Sequence, residues 1–548
     1  MCFNTADMDV TPDPSPEPTP ADSLPTDLQQ CHAMILELLA SVNSQQRTIG
    51  RLEHQLQDLL RRVYGRSSEK IDPNQLPLFK DLLEQLRQEN DLQPAEEPQP
   101  EAKPKSKPNG HGRRKLPADL PRECVVHELP EAEKACPCCG GRREEIGEDV
   151  SEHLDYIPAK VFVTRHIRKK YLCRACEQSA AETGPQMVTA DKPRMPIEKG
   201  LAGPGLLAHV LVSKYDDHLP LHRLERILKR HGIEIARSTM WDWVRQTTDA
   251  LGPLYDLMAE RVLGSKVLHT DDTPVDVQDR HRTKTRQGRF WIYLGDDEHP
   301  YDVYAYTPSR SRDGPMAFLA GWGQDERRYL QADAFGGYDD IYAGDAGGQV
   351  TEVACWAHAR RKFKDAGKSD HARSSHALAT IRVLYDIEAE LKDATPAERA
   401  AVRAAKARPV LERFGDWLRS QQIGNGACQG EAQRRPVLPK SPMGEAIQYA
   451  LNQWDALCVY TTDGDLSIDN NAAERGLRRV AVGRKNWLFL GGDAGGHAGA
   501  VALSLLGTCR RHNIEPLAYL RDILSRMPSH PSNRLADLLP DRWQPAAD

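Results

Sequence analysis

The stretch Leu466–Leu490, LSIDNNAAERGLRRVAVGRKNWLFL, gathers Glu474, the adjacent amides Asn470 and Asn471, and the cations Arg475, Arg478, Arg479, Arg484 and Lys485. Asn is a good helix N-cap and Glu474 follows Asn471 by three, so the spacing predicts a helix starting there, with the acid in its first turn. The same Asn-x-x-Glu spacing fits a capping box, in which Glu474 would reach back to a backbone N–H and do nothing else. The density of cations points further. It exceeds what an ordinary helix face carries and suits a polyanion, and an acid amid phosphate-binding cations suggests a divalent metal.

A metal-binding acid needs partners, and two stretches offer them at the ends of apparent strands. In Lys266–Val277, KVLHTDDTPVDV, the apolar Val267, Leu268 and Val275 flank Asp271 and Asp272, and Pro274 marks a strand end or edge. In Arg328–Tyr342, RYLQADAFGGYDDIY, a short strand delivers Asp333 ahead of a Gly336-Gly337 turn. Taken singly, each acid reads as easily as a turn residue. Together, three carboxylates on separate elements fit a two-metal phosphoryl-transfer site, where hard Mg²⁺ ions take oxygen ligands and clamp the attacking and leaving oxygens.

A second metal signature lies upstream. Cys136-Pro-Cys-Cys139 and Cys173-Arg-Ala-Cys176 are paired C-x-x-C knuckles whose separation suits one structural, tetrahedral zinc held by Cys136, Cys139, Cys173 and Cys176. Cys138 is the rival ligand in the first knuckle, and a redox pair or buried thiols are the alternatives. Most of the other cysteines are isolated, which fits reduced thiols rather than a disulfide framework.

At 548 residues the chain has room for three or four domains, and its net charge of −6 excludes a uniformly basic DNA-coating protein, so nucleic-acid contact must come from local patches. The N-terminus is acidic and Pro-rich, and no apolar run approaches membrane-spanning length, so a soluble, cytoplasmic protein is expected, associated with the nucleoid when bound to DNA.

The elements that must position these groups follow along the chain. Ile35, Val42, Ile49, Leu56 and Val63 recur every seven residues with Leu38, Gln45, Leu52 and Leu59 between them, an a/d seam that predicts a coiled coil and a dimer. An amphipathic helix packed on its own protein is the other reading. A short helix is expected around Leu76–Leu92, then a Pro/Glu/Lys-rich linker with the basic string KPKSKPNGHGRRK, which either lies along phosphates or is merely solvated. Between Gly200 and Leu251 three helices are expected, with Ser238 capping the last. That arrangement suits a helix-turn-helix or a plain packing domain, with Trp241 and Trp243 read as core. Strands over 266–273, 290–295, 301–306, 328–333 and 350–356, with a helix near 312–320, would then carry the first two acids, and a helical insertion precedes Glu474. In CWAHARRKF, Arg360, Arg361 and Lys362 suit phosphates and His358 a supporting or DNA contact.

The motifs LHTDDTPV, LQADAFGGY, CWAHARRKF, IDNNAAERGLRR and GRKNWLFLGG, with KYDDHLPLHR, LADLLP and the cysteine pairs, resemble the large DDE-type transposase of the insertion-sequence sixty-six family, from about Ile35 almost to the C-terminus. The resemblance implies a ribonuclease-H-like catalytic domain whose two aspartates and glutamate carry over to Asp271, Asp333 and Glu474. Where this chain reads Asp271-Asp272-Thr273 the family usually has Asp-Glu-Thr, and where it reads Asp333-Ala334-Phe335 the family has Asp-Gly-Tyr. The first departure leaves Asp271 and Asp272 as rivals.

The organisation expected is multidomain α+β. Residues 1–27 are read as disordered, 28–92 as coiled coil and short helix, 93–117 as basic linker and 118–199 as zinc-binding domain. Residues 200–260 form a helical DNA-binding domain, 261–525 a ribonuclease-H-like domain with a helical insertion at about 365–445, and 526–548 a tail. The function expected is metal-dependent cleavage and strand transfer of insertion-sequence ends, with two Mg²⁺ ions in the active site and one structural Zn²⁺. The partners are terminal inverted repeats, target DNA, a second copy or more of the chain and small accessory proteins of the same element, with no membrane. Two other classes compete. A non-catalytic, sequence-specific DNA-binding regulator needs no carboxylate trio, and a glycosidase would want aromatic sugar platforms that a 6% aromatic content hardly supplies.

Overall fold

The computed structural model describes residues 27, 29–30, 32–42, 45, 76–89, 161–168, 170–172, 187–189 and 194–198, and the chain from 200 to 545 apart from 280, 282, 344–348 and 423–436. The four zinc-ligand candidates Cys136, Cys139, Cys173 and Cys176, the basic linker and the seam beyond Gln45 lie outside the described residues. The principal helices are α1 (Leu76–Glu89), α2 (Pro204–Tyr215), α3 (Leu221–Arg230), α4 (Arg237–Val262), α5 (Trp356–Ala366), α6 (His371–Glu390), α7 (Arg408–Ser420), α8 (Pro442–Asn452), α9 (Asn471–Trp487), α10 (Asp493–Arg511) and α11 (Pro516–Arg526). The strands are β1 (Lys170–Leu172), β2 (Met187–Thr189), β3 (Val267–Val277), β4 (Arg286–Leu294), β5 (Asp302–Thr307), β6 (Arg328–Gln331), β7 (Val350–Val353) and β8 (Phe489–Leu490).

The chain divides into two compact units, one built from Met1–Pro94, Lys266–Thr270 and Pro315–Ala472, the other from Ala95–Ser265, Asp271–Gly314 and Ala473–Asp548. The chain passes from one unit to the other inside β3 and again inside α9.

In the first unit the opening residues of β3 pair parallel with β6, from Val267↔Tyr329 to His269↔Gln331, and β6 pairs parallel with β7. Parallel pairing needs crossover connections, and the alternation of apolar strands with helical sequence supplies them. Helices α5 to α8 cover and flank the stretch read as a helical insertion at about 365–445, and they close around Trp356, Phe363, Phe414 and Trp454, whose rings stand 6.1–6.2 Å apart in successive pairs. Arg403 is buried there in a π-helical turn, with Nε and Nη2 donating to the Glu388 carboxylate at 2.9 and 2.7 Å and Nη1 donating to the Tyr460 and Asp463 carbonyls. Every charge it brings inside is therefore met, the condition for a buried guanidinium. The short helix read from sequence is α1, and it docks on α6 through Leu83 and a 2.7 Å Arg87–Asp386 ion pair.

In the second unit β4 and β5 form an antiparallel pair with Phe290↔Tyr306 and Ile292↔Tyr304 in register, the strand order is β5-β4-β3, and β8 pairs parallel with Asp276 and Val277 at the far end of β3. Of the terminal helices, α10 is buried along most of its length. Its glycines allow this: a Cβ at Gly496 would enter the Tyr306 ring and one at Gly499 would stand 3.0 Å from Phe290. The three helices expected after Gly200 are α2, α3 and α4, but α4 runs on through Pro253 for 26 residues rather than ending at Leu251. Trp243 is core, as expected; Trp241 is only half-buried.

Candidate active site and nucleic-acid interface

Strand β3 carries the adjacent acids Asp271 and Asp272, and successive strand side chains point to opposite faces. Asp272 is fully committed on its face. Arg289 Nη1 donates to Asp272 Oδ2 at 2.8 Å, Arg310 donates to Oδ1 from Nε at 2.9 Å and stands 2.7 Å away at Nη2, and the carboxylate is 1% exposed. Two guanidiniums on one buried carboxylate make a structural cluster, with little left for a metal ion. On the other face, Thr273 Oγ1 accepts from Arg484 of α9 at 2.9 Å, and Arg484 also donates to the Pro274 carbonyl. The same helix meets β4 and β5 there: Gly476 lies so close to Ile292 that no Cβ would fit, and its carbonyl accepts from the Tyr304 hydroxyl at 2.9 Å. Asp271 shares the parity of Thr273, so it belongs to the face of β3 on which α9 lies. Its Oδ1 accepts the Asp272 N–H at 2.7 Å.

Helix α9 begins at Asn471, with Glu474 in its first turn as the spacing predicted. Asn470, expected as a cap, has a different task. This 0% exposed side chain donates from Nδ2 to the Thr270 carbonyl at 2.8 Å, and its Oδ1 stands 3.0 Å from His269 Nδ1. Its backbone N–H donates to Cys355 Sγ at 3.2 Å, and burial pushes that thiol up to about 11. Asp469 takes over the N-terminus, accepting the Asn471 N–H at 3.0 Å and its Nδ2 at 2.7 Å while receiving the Tyr385 hydroxyl at 2.9 Å. With Asn471 as the first helical residue, Glu474 is the fourth, one past the position a capping box needs.

Asp333 stands two residues beyond β6, in the first unit, ahead of the Gly336–Tyr338 turn. His269 pairs with Gln331, and Asp271 and Asp333 each follow two residues later. Gln331, fully buried, donates to the Ser467 carbonyl at 2.7 Å, which ties the end of β6 to the segment leading into α9. Asp271 and Glu474 belong to the second unit.

The cations separate into two sets. Arg475, Arg478 and Lys485 are exposed along α9. Arg479 and Arg484 are not: Arg479 stands 3.5 Å from Asp216 and donates to the Leu506 carbonyl at 3.3 Å, while Arg484 is taken by Thr273 and Pro274. In the first unit, Arg361 and Lys362 of α5 are exposed, Arg360 and His358 half-buried, and the Lys362 ammonium lies 5.5 Å from the Tyr449 ring centroid.

Carboxylates are the right donors for a hard divalent ion, although no three His, Cys, Asp or Glu side chains among the described residues stand as a ready metal cluster. The sequence did not announce Arg289, Arg310 or the task of Asn470. Among the described residues no helix is long and apolar enough to cross a membrane.

A mixed sheet carrying acids, a helix dense in cations and paired cysteine knuckles define a nucleic-acid-processing class, and comparison with known proteins is specific. Residues 199–498 match the family described as "Transposase IS66 family", 133–177 a "zinc-finger binding domain of transposase IS66", 504–540 an "IS66 C-terminal element" and 51–125 a "Transposase C of IS166 homeodomain". Two Sinorhizobium fredii proteins, printed as "Uncharacterized protein y4hP" and "Uncharacterized protein y4jD", are 35% and 31% identical to it. The first alignment covers 79% of this chain and 77% of the relative, the second 95% and 98%. The chain belongs to the IS66 transposase family. It is thus a DNA-binding, zinc-finger transposase-family protein of an insertion sequence.

Proposed function

We propose that this chain is an active DDE-type transposase that cleaves insertion-sequence ends and joins them to target DNA, on a ribonuclease-H-like catalytic domain spanning residues 261–525. Asp271, Asp333 and Glu474 are the carboxylates that would hold two Mg²⁺ ions, which when bound supply an activated oxygen nucleophile and stabilise the leaving oxygen. The observation that carries this reading is the division of labour on β3: Asp272 is consumed by Arg289 and Arg310, while Asp271 lies on the face of α9, the helix of Glu474.

The chain's own residues prepare the reaction. Arg484 fixes α9 against β3, and the Asn470 amide holds the Thr270 carbonyl next to Asp271, so both acids start from rigid backbone. Arg475, Arg478 and Lys485, with Arg360, Arg361 and Lys362, would place the phosphodiester, whereas Arg479 and Arg484 serve DNA binding indirectly, by holding α9. Cys136, Cys139, Cys173 and Cys176 would hold one structural Zn²⁺, residues 200–260 would contact the element's terminal inverted repeats, and residues 28–92 would pair two chains.

The regulator reading competes because it needs only the zinc module and the helices. Incubation of the pure protein with labelled element-end DNA, with and without Mg²⁺, decides between them. Metal-dependent nicking and joining at the ends is the expected result. Tight binding with no strand chemistry under any divalent ion would replace the transposase with the regulator.

A further inference from the structure

A cleft of about 850 Å³ opens within the second unit, between α2, the start of α3 and of α4, and the segment that links α9 to α10. Trp241, Trp487 and Phe489 give it three aromatic walls, and Lys214 and Arg237 stand among them. Phe489 is 45% exposed although it belongs to a strand. It is held there by an unusual backbone: Leu488, at the end of α9, has a φ of 67°, the left-handed region normally left to glycine. The glycines that follow, Gly491 and Gly492, have open space where a Cβ would be.

The charges in the wall are unequal in their freedom. Arg286 is taken by Asp493, which also accepts from the Tyr306 hydroxyl at 2.6 Å. Lys214 and Arg237 have no carboxylate partner among the described residues, and burial pushes the Lys214 ammonium down to about 8. Two cations without a carboxylate partner, beside Trp241 and the exposed Phe489, call for an anion attached to a flat apolar body, with Asp279 the other acid in the wall. The exposed Arg223 and Arg226 of α3 continue the positive surface beyond the cleft.

We propose that this cleft receives an unpaired nucleotide of the bound DNA, its base against Trp241 and Phe489 and its phosphate toward Lys214 and Arg237. A duplex offers base edges and phosphates but keeps its base faces stacked, so aromatic walls are useful only to a base outside the helix. The volume suits a ligand of that size and not a double helix. A protein segment would need a continuous apolar face, and the cations interrupt this one. The proposal rests on the reading of the chain as a DNA-processing enzyme, and it adds a place for strand ends or flipped bases that the carboxylates do not supply.

Full-length protein is titrated, without divalent metal, into a fluorescent duplex of arbitrary sequence, either blunt or with a short single-stranded thymidine tail. The tailed DNA should bind about tenfold more tightly, the equivalent of about 1.4 kcal/mol from a stacked base. Phe489→Ala, on an exposed side chain, should remove most of that advantage and leave blunt-duplex affinity unchanged, and Arg237→Gln should lower the affinity for the tailed DNA by more than that for the blunt duplex. Trp241→Ala should act as Phe489→Ala does, and thermal melting checks that it folds. Equal affinity of the parent for both DNAs, or an equal loss on both in the variants, overturns the proposal. Because neither metal nor element ends enter this measurement, its failure leaves the strand-cleavage reading standing. Conversely, a tail preference in a protein that cuts nothing keeps the cleft and removes the transposase.

Discussion

Arg289 Nη1 lies 2.8 Å from Asp272 Oδ2, on the face of β3 opposite to the one that α9 covers. Neighbours in sequence, Asp271 and Asp272 thereby stand on opposite faces of β3. Asp272→Asn should behave as a stability variant: it strips a buried carboxylate from two guanidiniums and should cost about 3 kcal/mol. Asp271→Asn should melt close to the parent yet abolish strand cleavage, as should Asp333→Asn and Glu474→Gln, with end-DNA binding retained in all three. Melting curves and cleavage assays on the same preparations check this. A well-folded but inactive Asp272→Asn beside an active Asp271→Asn would reverse the assignment.

The Asn470 amide offers a second test. It satisfies a buried backbone carbonyl at Thr270 and faces His269, so Asn470→Ala leaves buried polar groups without partners and should lower stability by about 1–3 kcal/mol. Strand cleavage should fall further than the loss of folded protein explains, because the backbone leading into Asp271 loses its anchor. A variant whose cleavage rate, corrected for the folded fraction, matches the parent would show that Asn470 only packs.

Much of this was legible in the sequence where the signal is local. The apolar run before Asp271, the Gly336-Gly337 turn behind Asp333 and the Asn470-Asn471 start of α9 each announce an element within a few residues, and each element is there. What could not be read are pairings over distance. Arg310 meets Asp272 from 38 residues away and Asn470 meets Thr270 from 200, and no periodicity records either. The same holds for Arg479 and Arg484, which look like phosphate ligands in a basic string until Asp216 and Thr273 are found beside them. Strand β8 is two residues long, too short to carry an alternation, and α10 hides its burial because glycine and alanine score as neither face.

Zinc gives a third expectation, on residues outside those described. The purified protein should hold one tightly bound Zn²⁺ per chain through Cys136, Cys139, Cys173 and Cys176, in keeping with the zinc-finger match over 133–177. Cys136→Ser or Cys173→Ser should unfold that module, since structural zinc contributes roughly 10–16 kcal/mol of apparent binding energy. Elemental analysis reads the metal directly. Zinc-free protein, or equal zinc retention after both substitutions, would remove the ribbon.

The last expectation concerns assembly. In the described helical stretch 32–42, the seam residues Ile35, Leu38 and Val42 are all exposed, and so are Met34, Leu36 and Leu39 beside them. Apolar side chains at heptad spacing gain nothing in water, and a second copy of the same seam would bury them. Joining two DNA ends also needs at least two catalytic domains together, and a parallel coil would hold two chains at high effective concentration. Ile49→Glu with Leu52→Glu, at the centre of the heptads, removes two apolar contacts worth roughly 1.5–3 kcal/mol each and adds like-charge repulsion, enough to separate so short a coil. Sedimentation of the double variant beside the parent should show monomer against dimer, with single-end cleavage retained and paired-end joining lost. The same oligomeric mass and equal joining in both would make the seam an intramolecular packing face and move the dimer contact elsewhere.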